Sequence, residues 1–277
     1  MDVITNFENE IKQEIHPAMR MPTHERFKRS REKQSLLLNF LGSGEIWTTL
    51  DVISHLIEGS EQNARRLVQR MVKDSVIKVD KVPHLGGQLK LYGITSYGLR
   101  VANNPHPCCR PFEIGRTHPD YVQHHLDCQY VRLVTERNTP DISWVPEKML
   151  VASIPAKERK GRKFPDALMI YTKRNERVGI EVERNVKYQE NMRNALAGHV
   201  HAFMQKEYDR VYYFSDHRES LKRSMYSIRF VKLANGENID MEDGWFDRFI
   251  FGSLSDYKEI LVSQPPSSYQ VSPPHTA

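Results

Sequence analysis

The chain has 277 residues, of which 39% are hydrophobic and 27% are charged, and its net charge of +5 gives an isoelectric point near 9.0. No apolar run approaches the length of a membrane span, and we expect neither a membrane segment nor a signal peptide. The three cysteines include no Cys-x-x-Cys pair, which argues against a disulfide framework and a zinc site and favours the reducing cytoplasm, while the basic balance suits a polyanionic partner.

The first predicted segment, residues 1–31, is a polar leader. Its stretch from Thr23 to Arg31 is rich in arginine and lysine. This stretch is either an arm that contacts phosphates or a solvated surface, and the sequence leaves both readings open.

Residues 32–102 predict a compact unit of three helices followed by a β-hairpin and a closing helix. Apolar residues recur at helical spacing before Gly42, and Ser60 suits the N-cap of the third helix. The predicted elements are helices at Gln34–Leu41, Leu50–Ile57 and after Ser60, strands at Val76–Val82 and Gln88–Ile94, and a last helix at Thr95–Ala102. Two helices, a turn, a third helix and a hairpin wing form the order of a winged helix-turn-helix.

The third helix is the predicted DNA-reading element, because its solvent face is basic. Arginines there can bind phosphates or guanine edges, and amide side chains suit adenine. The alternatives are a basic solvated face or a winged helix that binds protein. The residues predicted to contact DNA are Gln62, Asn63, Arg65, Arg66, Arg70 and Lys73 on the helix and Lys81 and His84 on the wing.

A linker is predicted at residues 103–117, where prolines and asparagines interrupt regular structure. The second domain, residues 118–262, follows in the order helix, three strands, helix, strand, helix, which predicts an α/β layer with a mixed sheet. Its predicted elements are a helix at Tyr121–Thr135, strands at Trp144–Val151, Ala167–Thr172 and Val178–Glu183, a helix at Asn185–Met204, a strand at Arg210–Ser215 and a helix at Ser220–Ser227. The tail 263–277, with four prolines, predicts disorder.

Three carboxylates accompany the predicted hairpin of the second domain. Closing this hairpin at a turn over residues 173–176 sets Asp166 opposite Glu183, with Glu181 beside it on the same face. Clustered carboxylates resist ionisation without a countercharge, and oxygen ligands suit Mg²⁺ or Mn²⁺. We therefore predict a metal site formed by these three acids; the alternative is a solvated strand face.

Other polar residues of this domain are weaker candidates. Lys187, four residues after Glu183, either approaches a scissile phosphate or covers the surface, and Glu147 is a further acid within reach of the cluster. His199 and His201 spell His-x-His, but the surrounding pattern is helical, and positions i and i+2 of a helix do not share a face. In the His124-His125 pair, one ring is expected to point toward the sheet.

The order of a winged helix and a Pro-Asp…Glu-x-Glu motif, Pro165-Asp166 with Glu181 and Glu183, resembles the MobC-type (MOBC family) relaxases of mobilisable plasmids. The resemblance covers residues 32 to about 230 and implies a core similar to PD-(D/E)xK restriction endonucleases. It implies that Asp166, Glu181 and Glu183 are catalytic and that one strand is nicked at a transfer origin, with relaxosome accessory and coupling proteins as partners. Glu183 departs from the nuclease consensus, which has lysine there, and leaves the general base open.

The predicted reaction is cleavage of a DNA phosphodiester that depends on Mg²⁺ or Mn²⁺. Asp166 and Glu181 would hold the metal, Glu183 would complete its shell or accept a proton, and Lys187 would offset developing charge. A tyrosine attacking in place of water is a variant for which no residue is selected. The alternatives are a non-catalytic DNA-binding plasmid regulator or replication protein, and a restriction-type endonuclease that cuts both strands.

Overall fold

The computed structural model describes residues 22–159 and 162–257. The chain folds as a mixed α/β protein with a three-stranded antiparallel sheet near its N-terminus and a five-stranded mixed sheet after it. The helices are α1 Thr23–Phe40, α2 Leu50–Leu56, α3 Glu61–Lys73, α4 Ser96–Val101, α5 Pro119–Asn138, α6 Glu147–Ser153, α7 Gln189–Met204 and α8 Arg218–Tyr226. The strands are β1 Trp47–Thr48, β2 Ile77–His84, β3 Gly87–Ile94, β4 Ile142–Pro146, β5 Ala167–Tyr171, β6 Glu176–Val182, β7 Arg210–Phe214, β8 Phe230–Lys232, β9 Asn238–Asp240 and β10 Phe249–Gly252.

The helix α3 forms as its sequence predicts. The Ser60 side chain accepts a hydrogen bond from the Asn63 backbone N–H at 3.3 Å, which satisfies one of the free N–H groups of the first turn. Ala64, Leu67, Val68 and Met71 are buried, at the spacing of one helical face. The opposite face of α3 is left to solvent.

The hairpin β2–β3 closes at a two-residue turn. His84 pairs with Gly87, and between them Leu85 and Gly86 have φ angles of 46° and 77°. Positive φ at both central positions defines the type I′ turn, whose twist matches that of the flanking strands. Strand β1 pairs with β3 and completes the order β1-β3-β2.

The basic stretch of the predicted leader is helical, because α1 begins at Thr23, before the predicted start of the first helix at Gln34. Arginine, lysine and glutamate have good helix propensity, so a charged stretch continues a helix whose apolar residues start later. Residues 1–21 and the predicted disordered tail at residues 263–277 lie outside the described residues.

The long helix α5 packs against both sheets. Val122 and Leu126 lie in the core of the N-terminal unit, whereas Val131 lies in the core of the five-stranded sheet. Phe112, inside the predicted linker, is also buried in the N-terminal core and lies directly over Gly93. The linker and α5 therefore join the two units through shared packing.

The five-stranded sheet has the order β10-β7-β6-β5-β4. Strands β4, β5 and β6 are antiparallel, and α7 connects β6 to the parallel strand β7, as the predicted mixed sheet requires. The predicted strand Trp144–Val151 is wrong after Pro146, where α6 begins. Residues 147–151, Glu-Lys-Met-Leu-Val, are mostly good helix formers, and Pro146 ends the strand pairing.

The last described part of the chain holds elements that the sequence pattern did not predict. Strands β8 and β9 form a small antiparallel pair, and β10 adds to the sheet parallel to β7. Within residues 22–159 and 162–257, no helix is both long enough and apolar enough to cross a bilayer.

Candidate functional site

The hairpin β5–β6 brings Asp166 beside Glu181. Ala167 pairs with Ile180, so the preceding residue, Asp166, falls opposite Glu181. The prediction that Asp166 faces Glu183 is wrong by two residues, because the turn covers 172–175 instead of 173–176. Asn175 sits in this turn with a left-handed φ of 51°, a conformation that asparagine tolerates better than most residues. A shift of two residues keeps each side chain on the same face of the sheet, so Asp166 and Glu181 still lie side by side.

Glu181 is a buried carboxylate whose main partner is a lysine. Its side chain is only 4% exposed and faces α7, where His199 Nε2 lies 3.6 Å from Oε1. Lys163 Nζ lies 2.6 Å from the same oxygen and forms an ion pair with it. Burial raises the pKa of Glu181 to about 7, with Asp166 adding to the rise and Lys163 opposing it. Glu181 is thus poised to change its charge near neutral pH.

Lys163 was not predicted from the sequence as a site residue; it lies in the loop before β5. Its stem lies against Gly198 of α7, where an added Cβ would be 2.5 Å from the Lys163 Cβ. The glycine therefore makes room for the lysine to reach Glu181. Burial alone would lower the pKa of Lys163, but the Glu181 carboxylate outweighs it and the pKa is raised. The available signal was a lysine two residues before Pro165-Asp166.

Asp166 is held by α5 on one side and by β6 on the other. His124 Nε2 lies 3.1 Å from Oδ1, and the Val182 backbone N–H donates to Oδ2 at 2.7 Å. Burial would raise the pKa of Asp166, but His124 and the Val182 N–H outweigh it and lower the pKa. One turn along α5, Cys128 Sγ lies 3.7 Å from His124 Nε2. As expected of the histidine pair, one ring, that of His124, points toward the sheet.

Glu183 forms a separate ion pair with Lys187. Lys187 precedes α7, which begins at Gln189, so its predicted place within the helix is wrong by two residues. Glu183 and Lys187 side chains are 14% and 32% exposed, which leaves the lysine accessible at the surface.

The three predicted acids do not form a single ligand group. Among the described residues, the group of three whose ligand atoms lie within 4.8 Å of one another consists of His124, Cys128 and Asp166. Glu181 and Glu183 are outside this group, and each forms an ion pair with a lysine. Glu147 lines the same cavity as Asp166, and its backbone N–H donates to the Asp166 carbonyl at 2.8 Å.

His199 is a structural residue of the core. It lies on α7, fully buried, with Nδ1 2.8 Å from the Tyr208 hydroxyl and Nε2 3.0 Å from the Tyr213 hydroxyl. Burial holds its pKa well below the usual value, so the ring is neutral. His201 is only partly buried on the same helix, in agreement with the prediction that the two rings do not share a face.

The basic face of α3 is exposed as predicted, and some of its cations already have partners. Arg65 forms an ion pair with Glu61 at 2.5 Å, and Arg70 Nη1 donates to the Ser30 hydroxyl of α1 at 2.9 Å. On the hairpin, His84 is partly buried, and its Nε2 lies 3.1 Å from the Gln123 Oε1 of α5. The exposed residues of this surface are Gln62, Asn63, Arg65, Arg66, Arg70, Lys73 and Lys81.

Helix α5 therefore contacts both the β2–β3 hairpin and Asp166 through adjacent residues. Gln123 touches the hairpin through His84, and the next residue, His124, touches Asp166. A groove of about 1030 Å³ lies between α3, the hairpin and α5, and Arg65, Lys81 and Lys90 line it.

Comparison of the chain with family models, with curated proteins and with solved structures finds no match. A function for this chain is therefore inferred from its own side chains and their geometry.

Proposed function

We propose that the chain is a metal-dependent DNA endonuclease that nicks one strand at a plasmid transfer origin, as MOBC relaxases do. The N-terminal unit would be a winged helix-turn-helix, and the five-stranded sheet would be the core of a PD-(D/E)xK-like nuclease. The observation that carries the proposal is the buried Lys163–Glu181 pair beside Asp166, where β5 begins and β6 ends. Two acids and a lysine at one point of an antiparallel strand pair are the group types that such nucleases use.

Lys163 supports this reading because it supplies the cation that the linear motif lacks. The consensus lysine position holds Glu183, but Lys163 reaches the same acid, Glu181, from the loop before β5. Removing a lysine and a glutamate from water costs free energy that their mutual attraction seldom repays, so stability alone seldom explains such a buried pair. Such pairs, with a carboxyl whose pKa is raised to about 7, are more frequent at functional sites than elsewhere.

The residues present fit a hard divalent cation. Glu181 is a buried carboxylate and Asp166 is an adjacent one, so both would hold Mg²⁺ or Mn²⁺ once Lys163 Nζ moves away from Glu181 Oε1. When bound, such an ion polarises a phosphoryl oxygen and lowers the pKa of a coordinated water. Glu183 lies two residues beyond Glu181 and would act from the outer part of the same site.

The chain's own residues would bind and orient the DNA. Lys163 would place its ammonium against the scissile phosphate and stabilise the negative charge that develops during attack. His124 and the Val182 N–H fix the orientation of the Asp166 carboxylate. Lys187, one-third exposed, would contact a flanking phosphate. Attack by water would break the bond from phosphorus to one ester oxygen, which leaves with a proton.

Double-stranded DNA is the proposed partner of the N-terminal unit. The basic face of α3 is exposed and would contact phosphates and base edges, with the hairpin beside it. Action on a plasmid origin would place the protein in the cytoplasm with relaxosome accessory and coupling proteins.

The test is a nicking assay with matched substitutions. Supercoiled plasmid carrying the DNA that flanks the protein's own coding sequence is incubated with the protein and Mn²⁺. We expect open circles with the unmodified protein and at least about a hundredfold slower nicking with D166A or K163A. The controls are D141A and K173A. Asp141, just before β4, and Lys173, in the β5–β6 turn, form an exposed ion pair of the same length, 2.6 Å. Linear product would favour a double-strand endonuclease, and a gel shift without cleavage would favour a regulator.

A further inference from the structure

One group of side chains that includes Asp166 has the chemistry of a metal site different from the proposed catalytic one. His124 and Cys128 are one turn apart on α5, so their side chains share a face. Asp166 reaches the same point from the start of β5, and the three ligand atoms lie within 4.8 Å of one another. A nitrogen, a sulfur and an oxygen ligand therefore converge from two separate elements.

The spacing of these atoms matches a tetrahedral ion. With zinc bonds of about 2.0–2.1 Å to nitrogen and oxygen and about 2.3 Å to sulfur, tetrahedral angles separate N from O by about 3.3 Å and S from N by about 3.6 Å. The observed separations are 3.1 Å between His124 Nε2 and Asp166 Oδ1 and 3.7 Å between Cys128 Sγ and His124 Nε2. Both separations are within a few tenths of an ångström of those in a tetrahedral zinc site, and Cys128 Sγ lies within 4.8 Å of the Asp166 ligand oxygen.

The surroundings leave room for a fourth ligand and hold the first three in place. The group borders a cavity of about 430 Å³ that Trp144 and Glu147 also line, so water can reach the ion. The second carboxylate oxygen of Asp166 accepts the Val182 N–H at 2.7 Å, which fixes the orientation of the ligand oxygen.

We propose that His124, Cys128 and Asp166 bind a thiophilic divalent cation of the Zn²⁺ class. Imidazole and thiolate select Zn²⁺ or Co²⁺ over Mg²⁺, which prefers oxygen ligands in octahedral geometry. The absence of a Cys-x-x-Cys pair argued against a zinc site. In the structure, however, a single cysteine combines with a histidine and an aspartate. The site shares Asp166 with the proposed catalytic ion but does not depend on nuclease activity.

The test is a titration of the full chain, freed of metal with a chelator, with Co²⁺ as a spectroscopic probe. We expect one equivalent to produce a near-ultraviolet thiolate-to-cobalt charge-transfer band and visible bands of tetrahedral intensity. Zn²⁺ should bleach these bands, because it ranks above Co²⁺ in affinity, whereas a large excess of Mg²⁺ should not. C128S should abolish the charge-transfer band, and C108S, which alters another free cysteine, should retain it.

A second variant keeps the proposal testable if C128S does not fold. H124A keeps the thiol and should weaken Co²⁺ binding at least about tenfold, with circular dichroism reporting the fold of each variant. Absence of the charge-transfer band in the unmodified protein, its persistence in C128S, or displacement of Co²⁺ by Mg²⁺ would each overturn the proposal. Since the readout involves no DNA, a protein that binds Co²⁺ but never nicks would refute only the proposed function.

Discussion

The substitution E181Q is expected to stabilise the protein above neutral pH. Glutamine keeps the shape of the side chain and removes the charge that burial disfavours. Since burial raises the folded-state pKa of Glu181 from its ordinary value of 4.5 to about 7, the folded protein holds this proton more tightly than the unfolded chain does. The contribution of the protonated group is therefore present below pH 4.5 and is lost as the pH rises to about 7.

The size of the effect follows from that difference. The pKa of Glu181 rises from 4.5 to about 7, and each pKa unit corresponds to about 1.4 kcal/mol. Ionising this carboxyl group therefore costs the folded state about 3 kcal/mol. Lys163 keeps 24% of its side chain exposed, so it can turn to solvent when its partner becomes neutral. We therefore expect E181Q to gain up to about 3 kcal/mol at pH 8 and almost nothing at pH 4.5.

Urea denaturation between pH 4.5 and 8, with a chelator to exclude divalent ions, measures this gain. The matched control is E176Q on the same strand, where Glu176 forms a 2.9 Å ion pair with Arg210 at a partly exposed position. That variant should show no gain at pH 8. An E181Q protein that is less stable than the unmodified chain at pH 8 would refute the reasoning, because Lys163 would then fully compensate an ionised Glu181.

Three further substitutions test the packing and the proposed DNA-binding surface. R132M should lower the free energy of unfolding by about 3–5 kcal/mol in urea denaturation, because it leaves Glu45, 3% exposed, without the guanidinium 2.9 Å away. G93A should cost about 1–3 kcal/mol in the same assay, since its Cβ would meet Phe112 at 2.1 Å. R66A should reduce the slope of log affinity against log salt by about 0.9 in a DNA titration, as one phosphate contact is lost.

Each of these has a control in the same chain. R116M should cost less than about 1 kcal/mol, because the Arg116–Glu113 pair is exposed at the surface. G115A should be nearly neutral, since nothing lies within 4 Å of its added Cβ. K232A, which removes an exposed cation on β8, should leave the salt slope unchanged. Equal effects from a substitution and its control would contradict the corresponding explanation.

Elements with local signals were predicted from the sequence. The α3 helix has a capping serine and a regular apolar face, and the hairpin β2–β3 has a Gly-containing turn between alternating strands. Elements that depend on partners were missed. Strand β10 is short and is stabilised by pairing with β7, while α6 follows a strand with no intervening turn residues except Pro146.

The candidate site divides in the same way. Strand alternation was enough to place Asp166 and Glu181 on neighbouring strands, but the register depended on the turn around Asn175, which pattern alone did not fix. The contact of Lys163 with Glu181 could not be predicted, because it needs a glycine 35 positions later on α7 to leave space.

Helix α5 has a consequence for how the N-terminal unit and the five-stranded sheet can move relative to each other. Its buried Arg132 forms an ion pair with Glu45 of the N-terminal unit, and Gln129 Oε1 accepts a hydrogen bond from the Thr48 hydroxyl at 2.7 Å. The two units therefore share one seam of polar and apolar contacts. These contacts oppose a hinge between α5 and the N-terminal unit. Under the proposed function, DNA bound to α3 would lie at a fixed distance and rotation from the β5–β6 hairpin, because α5 packs against both units.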